Sequence, residues 1–210
     1  CCCGFSVYHL WNVRQIEHGT LKRGAVRLLF GLMKKLVIAD RLNPMIKQIF
    51  SHYDDYQGGI IALGAIAYTI QLYCDFSGTM DAVMGVAQIF GVTMPENFQR
   101  PFFSKSISEF WKRWHITLGT WFKDYIFYPV TMSKPMKNRT SSARKKLGNH
   151  FGPLLAGSIA LFCVWFCNGL WHGSAWGYIF FGMYHFVLIL SGNIIAPAIT
   201  ALNKKLHINS

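Results

Sequence analysis

The sequence predicts an all-helical membrane protein, and three observations support this fold class. Hydrophobic residues make up 52% of the 210 residues and charged residues only 14%, a balance that is unusual for a water-soluble domain. Apolar stretches long enough to cross a bilayer as helices alternate with basic segments. Two histidines, His115 and His172, lie among tryptophans in otherwise apolar surroundings. The bilayer is therefore the expected solvent.

The charge distribution favours a membrane surface over a nucleic acid. Lysine and arginine together number 21 against 9 acidic residues, which gives a net charge of +12. The excess lies between apolar stretches, as anionic headgroups and the positive-inside rule require. No signal peptide is visible after Cys1. We expect residues 1–210 to be a single membrane-embedded domain from a longer chain, truncated at the amino end and also at the carboxyl end.

The six cysteines do not predict a disulfide framework. Three of them are adjacent at positions 1–3, and Cys74, Cys163 and Cys167 lie in apolar stretches. Cysteines in such stretches usually act as small hydrophobic residues of a membrane core.

The first fifty residues predict a polar loop followed by an interfacial segment. Tyr8 to Thr20 is polar and is expected outside the membrane. Leu21 to Phe50 mixes apolar runs with Arg27, Lys34, Lys35, Arg41 and Lys47, and we expect Pro44 to break it. Such a segment lies in the headgroup plane or forms a bent, partly inserted helix.

A long apolar stretch from Gly58 to Val92 carries only two charges, Asp75 and Asp81. At ~1.5 Å per residue it would measure about 52 Å as one helix, too long for a single straight crossing. The sequence predicts a break at Asp75–Gly78, between a crossing over 59–74 and a second helix over 79–90. An intramembrane acid indicates function, but Asp75 could equally cap the second helix and pair with an arginine.

The next segment predicts a loop and then a helix that bears a histidine. Two prolines make Pro95 to Pro101 a loop. Ser106 and Glu109 have the spacing of a capping box. If one continuous helix runs on from Ser106 with 3.6 residues per turn, His115 lies on its apolar side. A lone histidine in that position is either a satisfied core residue or a catalytic one.

The last third of the chain predicts a basic loop and a hairpin of two crossings. Ser133 to His150 holds six cationic residues and no acid, which indicates a flexible cytoplasmic loop. Phe151 to Trp171 and Trp176 to Ile195 can each cross the membrane. His172 then lies at the far bend, on the outer side or at the floor of a cavity opening there. The alternative is an interfacial histidine beside the aromatic belt.

Several kinds of site are not predicted. The sequence has no glycine-rich phosphate loop, no cysteine-pair zinc spacing and no nucleophile elbow. His172 and His185 are thirteen residues apart, which is not a helical ligand spacing, so no metal is expected.

Four motifs resemble those of one family, in the family's order. They are DFSG, PENF, FWKRWHITL with WFKDY, and LWHG, between about Lys22 and Leu190. The sequence is similar to the membrane-bound O-acyltransferases, in the branch of alginate O-acetyltransferase and the D-alanyl transferase of teichoic acids. Members of that family are longer at the amino end, and most are longer at the carboxyl end.

The resemblance implies a multi-pass transmembrane helical bundle around a tunnel, with an essential histidine in the LWHG motif. Here that residue is His172, and the histidine of the RWH motif is His115. The remaining motif residues are expected to line the tunnel or support it: Asp75, Ser77, Asn97, Arg113, Trp114 and Asn168.

The chemistry that the resemblance implies is acyl transfer from a thioester to a hydroxyl. We expect His172 to take the hydroxyl proton as general base, and His115 to orient the donor or to stabilise the oxyanion. No cofactor is expected to stay bound. The donor, acetyl-CoA or an acyl-carrier thioester, is a co-substrate on the cytoplasmic side.

The expected setting is the bacterial plasma membrane. The acceptor would be an extracytoplasmic polysaccharide, and the expected partners are membrane lipid, an acyl-carrier protein and a second exported acyltransferase, but no nucleic acid. Acetyl is the first choice of acyl group and D-alanyl the second. Two other classes remain open: a proton-coupled transporter that uses the intramembrane acids and histidines, and a membrane scaffold without chemistry.

Overall fold

The computed structural model describes residues 18–205, except for the side chains of residues 155 and 156. Within this part of the chain every regular element is helical, and β pairing is limited to an isolated bridge between Phe98 and Trp114. The all-helical prediction is confirmed. Residues 1–17 lie outside the described part, and with them three cysteines and most of the loop predicted over 8–20. The last residues of that predicted loop, from His18, instead begin helix α1, His18–Leu32.

Three helices in the described residues are long and apolar enough to cross a membrane. They are α3, Gly58–Ile89, α7, Lys134–His172, and α8, Trp176–Lys205. Large apolar side chains on them point outward: Leu63 is 65% exposed and Phe180 is 74% exposed. Outward-facing apolar side chains are expected where the surrounding medium is lipid or further protein. The prediction of a membrane protein is therefore confirmed.

The described residues pack into two compact units, 18–97 and 98–205. The first unit holds α1, a π-helical segment Met33–Ala39, α2, Asp40–Ser51, and α3. The second holds the histidine motifs and the hairpin. The single-domain interpretation stays a prediction.

In the first unit α1 lies directly against α3 because glycines face each other across the contact. A Cβ added to Gly31 would lie 2.5 Å from the carbonyl oxygen of Gly78, and one added to Gly85 would lie 2.8 Å from that of Gly24. Small residues at such crossings allow two backbones to approach closely in a membrane, where dispersion replaces the hydrophobic effect.

The predicted break of α3 at Asp75–Gly78 is wrong. The helix runs through all 32 residues from Gly58 to Ile89, which at ~1.5 Å per residue is about 48 Å. Its polar residues have partners on the neighbouring segment instead of a break. Asp75 forms an ion pair with Lys35, and Ser77 accepts a hydrogen bond of 3.0 Å from Lys34. Asp75 is thus in a structural pair, with a lysine and not with an arginine, and it caps no helix.

The predicted break at Pro44 is also wrong. Pro44 lies inside α2, which continues to Ser51. A proline removes one intrahelical hydrogen bond and crowds the preceding turn, yet packing on α3 holds the helix beyond it: Ile46 and Ile49 are buried, and Ile49 contacts the open face at Gly64. Residues 18–51 therefore form a nearly continuous helical segment that is widened at Met33–Ala39, closer to the bent-helix alternative.

The loop and the capping box before the first histidine are confirmed. Residues 92–100 contain no helix, and a short 3₁₀ turn follows at Pro101–Phe103. Helix α4, Ile107–Arg113, begins at Ser106, whose Oγ accepts a hydrogen bond of 3.1 Å from the Glu109 backbone N–H. The Glu109 carboxylate accepts in return from the backbone N–H of Lys105. One of the free N–H groups of the helix is thereby satisfied, together with the N–H of the residue before the N-cap.

The single helix expected through His115 is wrong, because the chain turns there. Helix α4 ends at Arg113, and α5, Ile116–Phe122, begins after a residue with left-handed backbone, His115 at φ 47°. A π-helical segment, Lys123–Phe127, and α6, Tyr128–Met132, follow. The turn forms because Trp114 is extended and bridges to Phe98, an interaction between distant residues that a periodicity of 3.6 does not reveal.

The flexible basic loop predicted over Ser133 to His150 is a helix. Residues 134–147 form the first part of α7, and the chain departs from helical geometry at Gly148, where φ is 80°. Pro135 lies in the first turn, where its fixed φ favours a helix start. Lysine, arginine and alanine are good helix formers, and like charge did not outweigh their propensity.

The predicted hairpin is confirmed as two packed helices. Helix α7 ends at His172, three residues form the bend, and α8 begins at Trp176. The helices approach closely at Gly169, where an added Cβ would lie 2.6 Å from the Tyr178 carbonyl oxygen. His172 is therefore at the bend, as predicted. The side of the membrane on which it lies stays a prediction.

Candidate active site

The first histidine, His115, occupies the turn between α4 and α5. Its φ of 47° lies in the left-handed region, which residues other than glycine adopt only when the surrounding structure holds them there. The bridge between Phe98 and Trp114 provides that support, together with a hydrogen bond of 3.0 Å from the Gln99 N–H to the Arg113 carbonyl. These contacts hold His115 at the turn between the two helices.

The second histidine, His172, is the last residue of α7 and is exposed. Its ring stacks on Tyr178 at 6.2 Å between centroids and meets the edge of Phe181 at 5.5 Å. Both partners belong to the first two turns of α8. The bend after Gly173 therefore brings α8 back against the imidazole and leaves its other side accessible.

A single tryptophan joins the two histidines. Trp171 lies 5.9 Å from His115 and 4.8 Å from His172 between ring centroids. The structure thus places the two predicted catalytic residues in one aromatic cluster within the unit 98–205. They come from segments 57 positions apart in the sequence (172 minus 115), and no periodicity relates them.

The environment keeps His115 uncharged. Burial of the ring, and to a smaller extent the nearby His172, lowers the pKa of His115 to about 4 from the ordinary value of 6.5. Desolvation disfavours the imidazolium because a buried charge loses its hydration. At neutral pH His115 is a neutral imidazole with one N–H to donate and one nitrogen to accept.

A third histidine belongs to the cluster and was missed by the sequence reasoning. His185, on α8, lies 4.6 Å from Phe181, 4.8 Å from Trp111 and 5.2 Å from Trp165 between ring centroids. Its signal in the sequence was the spacing Tyr178, Phe181, His185, three and then four residues apart, which places all three on one helix face.

Three further predicted residues belong to the same unit. Arg113 pairs with Glu109 on α4 and donates at 3.5 Å to the Arg100 carbonyl. Trp114 packs on Phe98 and on Phe110, at 5.0 Å and 5.6 Å. Both support the turn that presents His115. Asn168, only 7% exposed, lies one helical turn before His172 on α7.

The other three predicted residues belong to the unit 18–97, in a network of buried and half-buried charges. Asp75 and Ser77 are held by Lys35 and Lys34, and Asn97 donates to the sulfur of Met80 at 3.6 Å. These contacts are structural, and a tunnel-lining role for the three residues stays a prediction.

The centre of that network is Asp81, and the sequence reasoning missed its partners. Asp81 accepts a hydrogen bond of 3.0 Å from Arg27 Nε. It also forms an ion pair with the ammonium of Lys34, a residue that is only 8% exposed. Arg27 also forms two hydrogen bonds with Glu96, and these bonds raise its pKa. A basic residue inside an apolar run, such as Lys34, was the available signal, since it needs a buried acid nearby.

Comparison with known proteins identifies a family. The family model for membrane-bound O-acyltransferases matches residues 6–144, a range that includes His115 and ends before His172. The chain is 36% identical over 178 residues to the probable alginate O-acetylase of Azotobacter vinelandii, covering 82% of this chain and 32% of that protein.

Two other relatives carry different names. The teichoic acid D-alanyltransferase of Bacillus subtilis is 32% identical over 180 residues, covering 82% of this chain and 41% of that protein. The peptidoglycan O-acetyltransferase of Helicobacter pylori is 29% identical over 174 residues, covering 83% of this chain and 30% of that protein. The chain spans about a third of the length of the O-acetylases that it matches. With its membrane-length helices and its paired histidines, the chain belongs to the membrane-bound O-acyltransferase family.

Proposed function

We propose that the protein is a membrane O-acyltransferase in which His172 is the general base and His115 assists. The observation that carries this proposal is the shared contact of both imidazoles with Trp171, which joins an exposed histidine to a buried, neutral one. An accessible imidazole suits proton transfer with a substrate, and a neutral buried one suits a fixed hydrogen bond.

The reaction would proceed by attack of an acceptor hydroxyl on a thioester. One ring nitrogen of His172 accepts the hydroxyl proton while the oxygen forms a bond to the carbonyl carbon. The C–S bond then breaks, and the thiolate takes the proton from the imidazolium. A hydroxyl is a weak nucleophile at neutral pH, so a positioned base is worth roughly 10² to 10⁴ in rate. The N–H of neutral His115 would bind the carbonyl oxygen as negative charge develops on it.

Acetyl is the acyl group that we propose. Two of the relatives described above are named O-acetylase or O-acetyltransferase, and one is named D-alanyltransferase, which keeps D-alanyl as the second candidate. The acceptor would be a polysaccharide outside the plasma membrane of a bacterium. The donor, acetyl-CoA or an acyl-carrier thioester, would arrive from the cytoplasm, and a second exported acyltransferase could receive the acyl group.

A transporter is less well supported by the described contacts. Asp75 and Asp81, the acids that a proton pathway would use, are each ion-paired with a lysine. Both carboxylates are therefore engaged in contacts within the unit 18–97.

The test is loss of ester formation in a full-length His172→Gln protein. We expect acyl transfer to fall by roughly 10²-fold or more, because glutamine keeps a polar side chain but cannot accept the proton. Cell-envelope polymers from cells with the wild type, with the variant and without the gene would be compared by mass spectrometry, which separates acetyl from D-alanyl esters. His150→Gln is the matched control, since His150 bonds the Asn193 carbonyl away from this cluster. Normal esterification by His172→Gln would reject the assignment.

A further inference from the structure

Three buried polar atoms of the unit 98–205 have no hydrogen-bond partner among the described residues. They are Nε1 of Trp111, Oδ1 of Asn168 and Nδ1 of His185. More than nine in ten buried polar groups in proteins are hydrogen-bonded, because an unpaired one loses its hydration without compensation. Three such atoms in one unit therefore require an explanation.

The side chains that carry these atoms are linked by ring contacts and by helix spacing. The rings of Trp111 and His185 meet at 4.8 Å, and both pack on Trp165, at 4.9 Å and 5.2 Å. Asn168 follows Trp165 by three residues on α7 and so lies on the same helix face. Helix α4 supplies Trp111, α7 supplies Asn168 and α8 supplies His185. We call these three residues the buried polar cluster.

The buried polar cluster adjoins the proposed general base. Phe181 contacts Trp111 at 6.1 Å, His185 at 4.6 Å and His172 at 5.5 Å. Asn168 precedes His172 by four residues, one turn of the same helix. A molecule held by the cluster would therefore lie next to the imidazole that we assign to proton transfer.

Hydrogen-bond chemistry limits what the cluster can hold. An indole N–H only donates and an amide oxygen only accepts, whereas a histidine Nδ1 does either according to its tautomer. A carbonyl group would leave Asn168 unpaired, and an ammonium group would leave Trp111 unpaired. A hydroxyl both accepts and donates, so a single hydroxyl group can accept from Nε1 of Trp111 and donate to Oδ1 of Asn168.

We infer that Trp111, Asn168 and His185 bind one hydroxyl group beside His172. The hydroxyl belongs either to an ordered water or to the acceptor of acyl transfer, and the second source rests on the proposed function. In that case the cluster positions the nucleophile and His172 takes its proton. Trp111, Asn168 and His185 are then positioning residues whose loss weakens binding of the acceptor more than binding of the donor.

The indole N–H of Trp111 reports the hydroxyl directly. Full-length protein labelled with ¹⁵N-tryptophan would be studied by NMR in lipid nanodiscs, and the Trp111 signal identified by its loss in Trp111→Phe. We expect the signal at a hydrogen-bonded position, and a return toward the unbonded position in Asn168→Leu or, should that variant not fold, Asn168→Ala. The indole signal of Trp121, which stacks on Tyr125 elsewhere in this unit, is the control and should not move.

Two arms distinguish the sources of the hydroxyl. A bonded signal without acceptor, with magnetisation transfer from solvent, identifies a water. A signal that becomes bonded only when an acceptor oligosaccharide is added identifies the substrate hydroxyl, and Asn168→Leu should then raise the acceptor KM at least tenfold with the donor KM unchanged.

Two results would overturn the inference. One is an unbonded Trp111 signal both with and without acceptor. The other is a bonded Trp111 signal that does not shift when Asn168 is substituted, which would mean that another protein group accepts the hydrogen bond of the indole N–H. The NMR measurement needs no turnover, so a protein without acyltransferase activity would fail the proposed function and leave this test intact.

Discussion

At the scale of single residues, the sequence motifs pointed to His115 and His172 as candidate site residues. The fold then gives the two side chains different burial. His115 and His172 are both flanked by tryptophan in the sequence. In the structure one occupies a strained turn and is partly buried, and the other ends a helix and is exposed. Burial keeps the first neutral, whereas the second is exposed and its ring is accessible. Equivalent sequence surroundings therefore do not imply equivalent environments.

The lowered pKa of His115 predicts a loss of stability in acid. Between the folded pKa of about 4 and the ordinary value of 6.5 the unfolded chain binds more protons than the folded one. The stability contributed by neutral His115 is complete above 6.5 and is lost as the pH falls toward 4. His115→Asn, which tolerates the left-handed backbone and does not titrate, should lose less stability over this window than the wild type.

Thermal unfolding followed by tryptophan fluorescence in nanodiscs would measure this difference across the pH window. His150→Asn, at an exposed histidine, should follow the wild type. Parallel curves for wild type and His115→Asn would contradict the lowered pKa.

At the scale of elements, helix α3 shows how a neighbouring helix can remove a break that the sequence predicts. Asp75, Ser77 and Gly78 are poor residues for the middle of a transmembrane helix. Lysines on the adjoining segment pair with Asp75 and donate a hydrogen bond to Ser77. Gly78 has no side chain, which allows the backbone at Gly31 to pack closely against it. The residues that keep α3 intact therefore lie forty or more positions away in the sequence.

This network predicts unequal effects of two similar substitutions. Asp81→Asn leaves Lys34 without its carboxylate in a site where the acid is 18% exposed, and should destabilise by about 3 kcal/mol. Asp75→Asn breaks a pair whose acid is 37% exposed and should cost about 1 kcal/mol or less. Unfolding in a denaturing detergent series would measure both, and equal losses would show that burial does not determine the effect.

The contact between α1 and α3 predicts a large penalty for a small addition. Gly31→Ala places a methyl group 2.5 Å from backbone atoms of α3 and should destabilise by about 1–3 kcal/mol. Gly192→Ala makes the same change inside α8, where nothing lies within 4 Å, and should be neutral or stabilise by up to about 1 kcal/mol. The same detergent series would compare them, and a neutral Gly31→Ala would show that the helices can separate freely.

At the scale of the whole molecule, charge and crossing number together predict how the hairpin is oriented. The basic first part of α7 and the lysines at the end of α8 mark two ends of a hairpin whose bend carries His172. Cationic ends stay in the cytoplasm, so the bend should face the opposite side. The general base would then be reached from the side where the proposed polysaccharide lies.

Cysteine labelling in intact cells would test this orientation. Ser174→Cys at the bend should react with a membrane-impermeant maleimide from outside, and Ser142→Cys should react only after permeabilisation. Both serines are exposed, and the native cysteines would be replaced in the background protein. Labelling of Ser142→Cys in intact cells would reverse the proposed topology.

By itself the sequence determined the class of protein, the capping box at Ser106, the hairpin and the position of His172 at its bend. These features depend on composition, local spacing and segment length, which act within one or two turns of chain. Interactions over such short distances along the chain can be predicted from the sequence alone.

Only the tertiary structure decided the unbroken α3, the turn at His115 and the place of His185. Each depends on a contact between distant residues: the cations that neutralise Asp75 and Asp81, the bridge from Phe98 to Trp114, and the rings of Trp111 and Trp165 around His185. Local propensity belongs to each residue and its near neighbours, whereas these contacts join residues that are distant in the sequence and form only when the chain has folded.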